Sequence, residues 1–207
     1  MLKSRGVKQE LRRSVNGLGD RLQVIVFAGF MLFGVFVGSV MASSVEGDSQ
    51  NVLKQIIDGF IASKNSGEVF YNFCSGALSN LSVMMLLFFC GFCAISTVII
   101  ITVAIFKGVG IGLVIGSLYA EYSTAAINYI LLKLLPDFFI CNIIILISCS
   151  LAYSMARGIA LRLKGEKAAG FSSAGYLLRF FILAVCMLSG CWFNAFAGSF
   201  FTVSLAA

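Results

Sequence analysis

Residues 105–122 read "IFKGVGIGLVIGSLYAEY", an apolar run that holds one lysine and a ladder of glycines at four-residue spacing, Gly108, Gly112 and Gly116. Between Val69 and Ala120, Lys107 is the only Asp, Glu, Lys or Arg. The 45 residues from Gly76 to Ala120 would extend roughly 67 Å as helix, enough to cross a hydrocarbon core about 30 Å thick twice. The segment therefore reads as a hairpin of two spanning helices. A turn near Ser96-Thr97 gives two spans of ordinary length with Lys107 inside the second, and is favoured here. A turn at Lys107-Gly108 keeps the charge at the surface but leaves one long helix and one short one.

Working outward, the whole chain shares this character. Its 207 residues are 59% hydrophobic and only 12% charged, far from the roughly quarter-charged composition of soluble domains. The expected fold class is all-α, a polytopic bundle of about five transmembrane spans in one membrane domain, 22–207, behind a basic leader, 1–21. The spans are expected at about 22–42, 77–96, 98–120, 137–156 and 177–200. Val40-Met41-Ala42 looks like a signal-peptidase site, but the apolar run before it exceeds the 7 to 15 residues of a signal core, which favours an uncleaved anchor.

The net charge of +6 does not point to nucleic acid. Its basic residues sit in two blocks beside apolar runs, without the interleaved basic and aromatic surface that nucleic acid needs. Lys3, Arg5, Lys8, Arg12, Arg13 and Arg21 precede the first span, and Arg157, Arg162, Lys164 and Lys167 fall in the loop expected at 157–176. Positive charge stays on the cytoplasmic side, so the N-terminus is expected inside. Five crossings then put the C-terminus outside, in a multi-pass protein of the cell membrane whose first partner is the lipid bilayer.

The expected outer loop, 43–76, contains a helical stripe of Val52, Leu53, Ile56, Ile57, Phe60 and Ile61. Such a stripe lies on the membrane surface or docks a partner, with Ile57 and Phe60 at its centre. After Glu121, the residues Ala126, Ile127, Ile130, Leu131, Leu134 and Leu135 suggest a second short interfacial or re-entrant helix. Pro136 suits the first turn of the fourth span.

No constellation for catalysis is visible. There is no histidine, and the carboxylates near the membrane reduce to Glu121 and Asp137, leaving neither a triad nor a metal site. The "KGVGIGLVIG" stretch lacks the glycine spacing of a phosphate loop. Six of the seven cysteines fall in apolar segments and read as small packing residues, and the C-x-x-C of Cys90 and Cys93 has no second pair to complete a zinc site. An enzyme is not expected, and no cofactor or metal is implied.

Gly34, Gly38 and Ala42 on the first span, and Gly108, Gly112 and Gly116 on the third, form two small faces suited to close helix contact. They are candidates for packing within the bundle, for self-association of the chain, or for holding a partner. A lysine at mid-span costs about 2.5 to 3.5 kcal/mol, against about 0.3 to 0.6 returned by each Ile, Val or Phe. Seven such residues between Val98 and Phe106 make insertion feasible. The ammonium then snorkels to the interface, pairs with Glu121 or Asp137, or lines a solute path. In the last case Lys107, Glu121, Lys133 and Asp137 would border a polar route, as in a small transporter or channel.

The order of features resembles the stage II sporulation protein M family. The resemblance rests on "NLSVMMLLFFCGF" with Asn80 and Gly91, "IFKGVGIGLVIG" with Lys107 and Gly108, and "LLPDFF" with Leu135 and Pro136. Where many members carry asparagine this chain has Lys107, and after Leu-Pro it has Asp137, Phe138 and Cys141 in place of a His-Gly pair followed by glutamate. The resemblance implies a non-catalytic membrane component of the engulfment machinery of endospore formers. It also implies that the chain works with the peptidoglycan-degrading stage II sporulation proteins D and P.

Overall fold

In a computed structural model of the chain, five helices are long and apolar enough to cross a membrane. The structure describes residues 2–44, 55, 59, 69–93, 96–129, 135–163 and 173–200, with side chains described within 22–120 and 138–196 of these. The elements are α1 (Leu2–Ser44), α2 (Val69–Gly91), α3 (Thr97–Tyr129), α4 (Leu135–Leu163) and α5 (Ser173–Phe200). The protein is an all-helical, multi-pass membrane protein, and the described residues contain no strand. Within the helices the apolar windows run Leu22–Ser44, Val69–Gly91, Thr97–Ala120, Phe138–Leu163 and Ala174–Phe196.

The hairpin turns where the first alternative placed it. Ser96 is 1% exposed, and its hydroxyl donates to the carbonyls of Cys90 and, at 2.7 Å, Cys93. These belong to the last turn of α2 and the residues just after it, whose carbonyls lack partners within the helix. The Ser96 carbonyl in turn accepts the Ile100 N–H at 2.9 Å, the first bond of α3. One buried serine thus closes one helix and opens the next.

Two boundaries differ from the sequence reading. The second span begins at Val69 and ends at Gly91, not at 77 and 96. Asn72, Ser75 and Ser79 lower the local hydropathy enough to resemble a loop, but they belong to α2 and line a cleft between helices, so polarity here marks one wall of that cleft. Residues 124–129 prolong α3 without a break and do not start a separate interfacial helix. A smaller difference is that α4 continues through Arg157 and Arg162 to Leu163, carrying these cations at its last turns, where they favour the carbonyl end of the helix. The stripe holding Ile57 and Phe60 lies outside the described residues, as do the side chains of Glu121, Lys133 and Asp137.

At the centre stands α4, in contact with each of the other four helices. Ser148, Cys149, Ala152 and Ala156 are fully buried along it. Lipid tails are as apolar as leucine, so helices gain little by hiding oily surface from each other, and small side chains that permit close backbone approach drive packing instead. The Ser148 hydroxyl donates to its own helix at the Ile144 carbonyl, 2.9 Å away, and leaves no polar demand in the core. Leu32, Phe33, Phe36, Phe70, Leu78, Phe89, Phe106, Phe181 and Phe193 are exposed and form the surface that meets the acyl chains.

At the end where α1 starts its apolar run, Gln23 joins α1 to α4. Its Oε1 accepts the Ser154 hydroxyl at 2.9 Å and the Ser150 hydroxyl at 3.3 Å, and Phe27 meets Tyr153 edge to face, centroids 5.9 Å apart. A ring cluster of Phe88, Phe92, Tyr176 and Phe180 ties α2 to α5.

Candidate intramembrane site

The most extensive helix contact joins α1 to α3, and the two glycine faces meet there. A Cβ added at Gly34 would strike the Ile105 carbonyl oxygen and lie 3.1 Å from the Cα of Gly108. One added at Gly108 would strike the Met31 carbonyl and lie 3.1 Å from the Cα of Gly34. Gly38 faces Val109 and Leu113, Gly112 faces Val35 and Ser39, and Gly116 sits against Ser39 and Ala42. The partners advance together in both helices, 31 with 108, 35 with 112 and 39 with 116, so α1 and α3 run parallel. That direction is expected of spans one and three, and the contact is backbone on backbone over two turns and more.

The same pairing corrects one expectation. With their faces covered by each other, Gly34, Gly38, Gly108, Gly112 and Gly116 have no free side for a partner. A substitution there acts first on the chain's own packing.

Gly91 has a different reason to be glycine. A Cβ there would collide with the Tyr176 hydroxyl, which donates to the Phe88 carbonyl at 3.1 Å. Tyr176 is 3% exposed and its ring stacks on Phe88, centroids 5.7 Å apart, so it has little room to yield.

Lys107 projects from the opposite side of α3. Its Nζ donates to the Asn80 Oδ1 at 2.9 Å. The amide of Asn80, which is buried, points its Nδ2 toward the Cys191 Sγ at 3.8 Å. An amide partner was not among the three roles weighed for the lysine. Both residues lie near the middle of their spans, where acyl chains supply no hydrogen bonds, and an unsatisfied ammonium is costly there. Asn80 therefore serves as a neutral acceptor inside the bundle.

Around this pair opens a cleft of about 330 Å³ bounded by α2, α3 and α4. The arms of the hairpin meet at the Ser96 turn and then diverge, touching each other less than each touches α4. Asn72, Ser75 and Ser79 line the α2 wall, Lys107 and Gly110 the α3 wall, and Asn142 the floor from α4. The Asn142 Oδ1 is buried and accepts no hydrogen bond among the described residues. Asn142 escaped the sequence reading because it is one amide ahead of "IIILIS", and a lone asparagine gives no periodic signal. Leu135 and Pro136 occupy the first turn of α4, nearly two turns ahead of the cleft floor at Asn142. Among the described residues no three His, Cys, Asp or Glu side chains gather to hold a metal, and all seven cysteines are free thiols, with Cys141, Cys149 and Cys191 buried.

Four apolar helices around a central fifth, α4, with a polar cleft reaching a mid-span ammonium, define a polytopic helical membrane protein. Residues 24–198 match the family described as Stage II sporulation protein M. The chain belongs to that family and is a sporulation-related, multi-pass membrane protein. No curated protein and no solved structure matches it.

Proposed function

We propose that this protein is a non-catalytic membrane scaffold of the engulfment machinery, which holds peptidoglycan-degrading partners at the septal membrane. The observation that carries the reading is family membership across nearly the whole membrane domain, residues 24–198. By resemblance the partners are stage II sporulation proteins D and P. The distribution of basic residues supports an N-terminus inside and a C-terminus outside, which puts the loop with Ile57 and Phe60 on the cell-wall side, where such partners act. Labelling by an impermeant thiol reagent from outside is then expected at Ser49→Cys and not at Ser172→Cys.

Co-purification tests the scaffold. Full-length chain captured from membranes of sporulating cells is expected to retain both hydrolases, and the double variant Ile57→Ser/Phe60→Ser to lose most of them while remaining inserted. Removing two fully buried side chains of this kind forfeits roughly 3 to 5 kcal/mol, at about 1.5 to 3 each. Absence of the hydrolases from the parent sample would overturn the reading.

The cleft also favours a second reading, a small transporter or channel with Lys107 on a polar path, since an ionisable group within a membrane marks solute routes in many proteins. Solute or proton flux in liposomes that falls with Lys107→Met would support it over the scaffold.

A further inference from the structure

We propose that the groove between α1 and α5 binds an anionic phospholipid, with its phosphate on Arg179 and Arg157 and one acyl chain laid along α4. The inference concerns what the isolated chain holds and does not depend on the scaffold reading.

α1 and α5 each pack on α4 but hardly touch each other, which leaves a groove of about 700 Å³ with α4 as its floor. Sites for small molecules take volumes of roughly 300 to 1,000 Å³. Ile25, Ile147 and Ile182 line the groove and are exposed, so it opens sideways to the bilayer. Ser150 and Ser154 also line it, but both hydroxyls donate to the Gln23 Oε1. The walls therefore present mainly aliphatic surface.

One lining side chain is charged. Arg179 is exposed, and its guanidinium makes no hydrogen bond or ion pair among the described residues. Arg157 follows Ser150 by seven residues, two turns of α4, so it continues the face that floors the groove. It too is exposed and makes no such bond. Both arginines fall within the apolar windows of their helices, where a cation without an anion is costly. Their level is marked by Gln23, the second residue of the α1 window Leu22–Ser44. Ser154, bonded to Gln23, thus stands at the edge of the hydrocarbon layer, next to the depth of the lipid phosphates.

Phosphate is the anion that the bilayer itself supplies at that depth, and a guanidinium fork pairs with it through two parallel hydrogen bonds. Lipid is selected over the free ion because the groove continues away from Arg179 as aliphatic surface, which an acyl chain fills and inorganic phosphate leaves unused. The sign of the charge selects among lipids. Two guanidiniums, with Lys164 and Lys167 just beyond α4 in sequence, favour a net negative headgroup over one that carries its own ammonium, as basic pockets between membrane helices do elsewhere.

Purified full-length chain in mild detergent, given equal amounts of dioleoyl phosphatidylglycerol and dioleoyl phosphatidylcholine, tests this by native mass spectrometry of the lipid retained. The parent is expected to keep phosphatidylglycerol at least tenfold over phosphatidylcholine. Arg179→Gln and Arg157→Gln should each lower that retention several-fold. Ile182→Trp, which fills the groove and keeps both arginines, should do the same. Lys54→Gln, which removes an equal charge beyond the other end of α1, should leave it at the parental level. Arg179→Gln alters an exposed, unbonded side chain and should melt with the parent in lipid-free detergent, so its loss of lipid is not a loss of fold. Equal retention of the two lipids by the parent, or an equal fall with Lys54→Gln and Arg179→Gln, overturns the proposal. So does displacement of phosphatidylglycerol by millimolar inorganic phosphate, which would make the arginines a site for the free ion.

Discussion

Gly34 on α1 and Gly108 on α3 press their Cα atoms together so closely that a Cβ on either would come within 3.1 Å of the other's Cα and collide with main-chain oxygen beside it. This contact, repeated one and two turns further on, makes α1 and α3 a parallel pair. It leaves the cleft on the far side of α3 as the open surface of the hairpin.

Gly110 and Gly112 are two residues apart on α3 and should respond in opposite ways to the same change. Gly112→Leu drives a bulky side chain into the main chain of Val35 and Ser39, and overpacking of this kind costs typically 1 to 3 kcal/mol, more where backbone cannot move. Gly110→Leu meets open space and should shift stability by about 0.5 kcal/mol or less. Thermal unfolding of the detergent-purified variants should separate them clearly. Equal melting temperatures would contradict the packing described for α1 and α3.

The bond between Lys107 and Asn80 predicts an asymmetric pair of mutants. Asn80→Leu removes the amide acceptor from one of the ammonium's bonds, so it should destabilise by about 1 kcal/mol. Lys107→Met removes the charge together with its need, and should cost less than about 0.5 kcal/mol or stabilise slightly, because a buried charge is itself a burden. The double variant should recover most of the loss caused by Asn80→Leu. Additive losses in equilibrium unfolding would show that the two side chains are not coupled.

Gly91 and Tyr176 make a third coupled pair. Gly91→Ala should destabilise by about 1 to 3 kcal/mol, because the added methyl competes with a hydroxyl fixed by the Phe88 carbonyl. Tyr176→Phe should cost about 1 kcal/mol for the lost hydrogen bond. Combined, they should cost less than the sum, since the shortened ring gives the methyl room. A double-mutant cycle that closes to zero would contradict the close approach.

Much of this architecture was legible in the sequence for plain physical reasons. Span length and hydropathy are properties of single segments, so all five crossings and the turn near Ser96 could be read without knowing any neighbour. The glycine faces were legible one helix at a time, but four-residue spacing says that a face is small, not which face covers it. That Gly34 meets Gly108 is information about two distant segments together. The polar cleft was hidden for a related reason: Asn72, Ser75 and Ser79 read as loop composition, and only the divergence of α2 from α3 shows them lining a cleft between helices. Lys107 stood out as a lone charge in an apolar run, whereas its acceptor Asn80 is 27 residues away and carries no charge to advertise it.

The central claim is that this chain holds cell-wall-degrading partners at the engulfing membrane. Fluorescently tagged hydrolases should be imaged in sporulating cells that lack the chain and in cells where it is restored. The account predicts septal enrichment of the hydrolases with the parent chain and loss of that enrichment over the whole membrane without it. Hydrolases that remain concentrated at the septum in the absence of the chain would contradict the account.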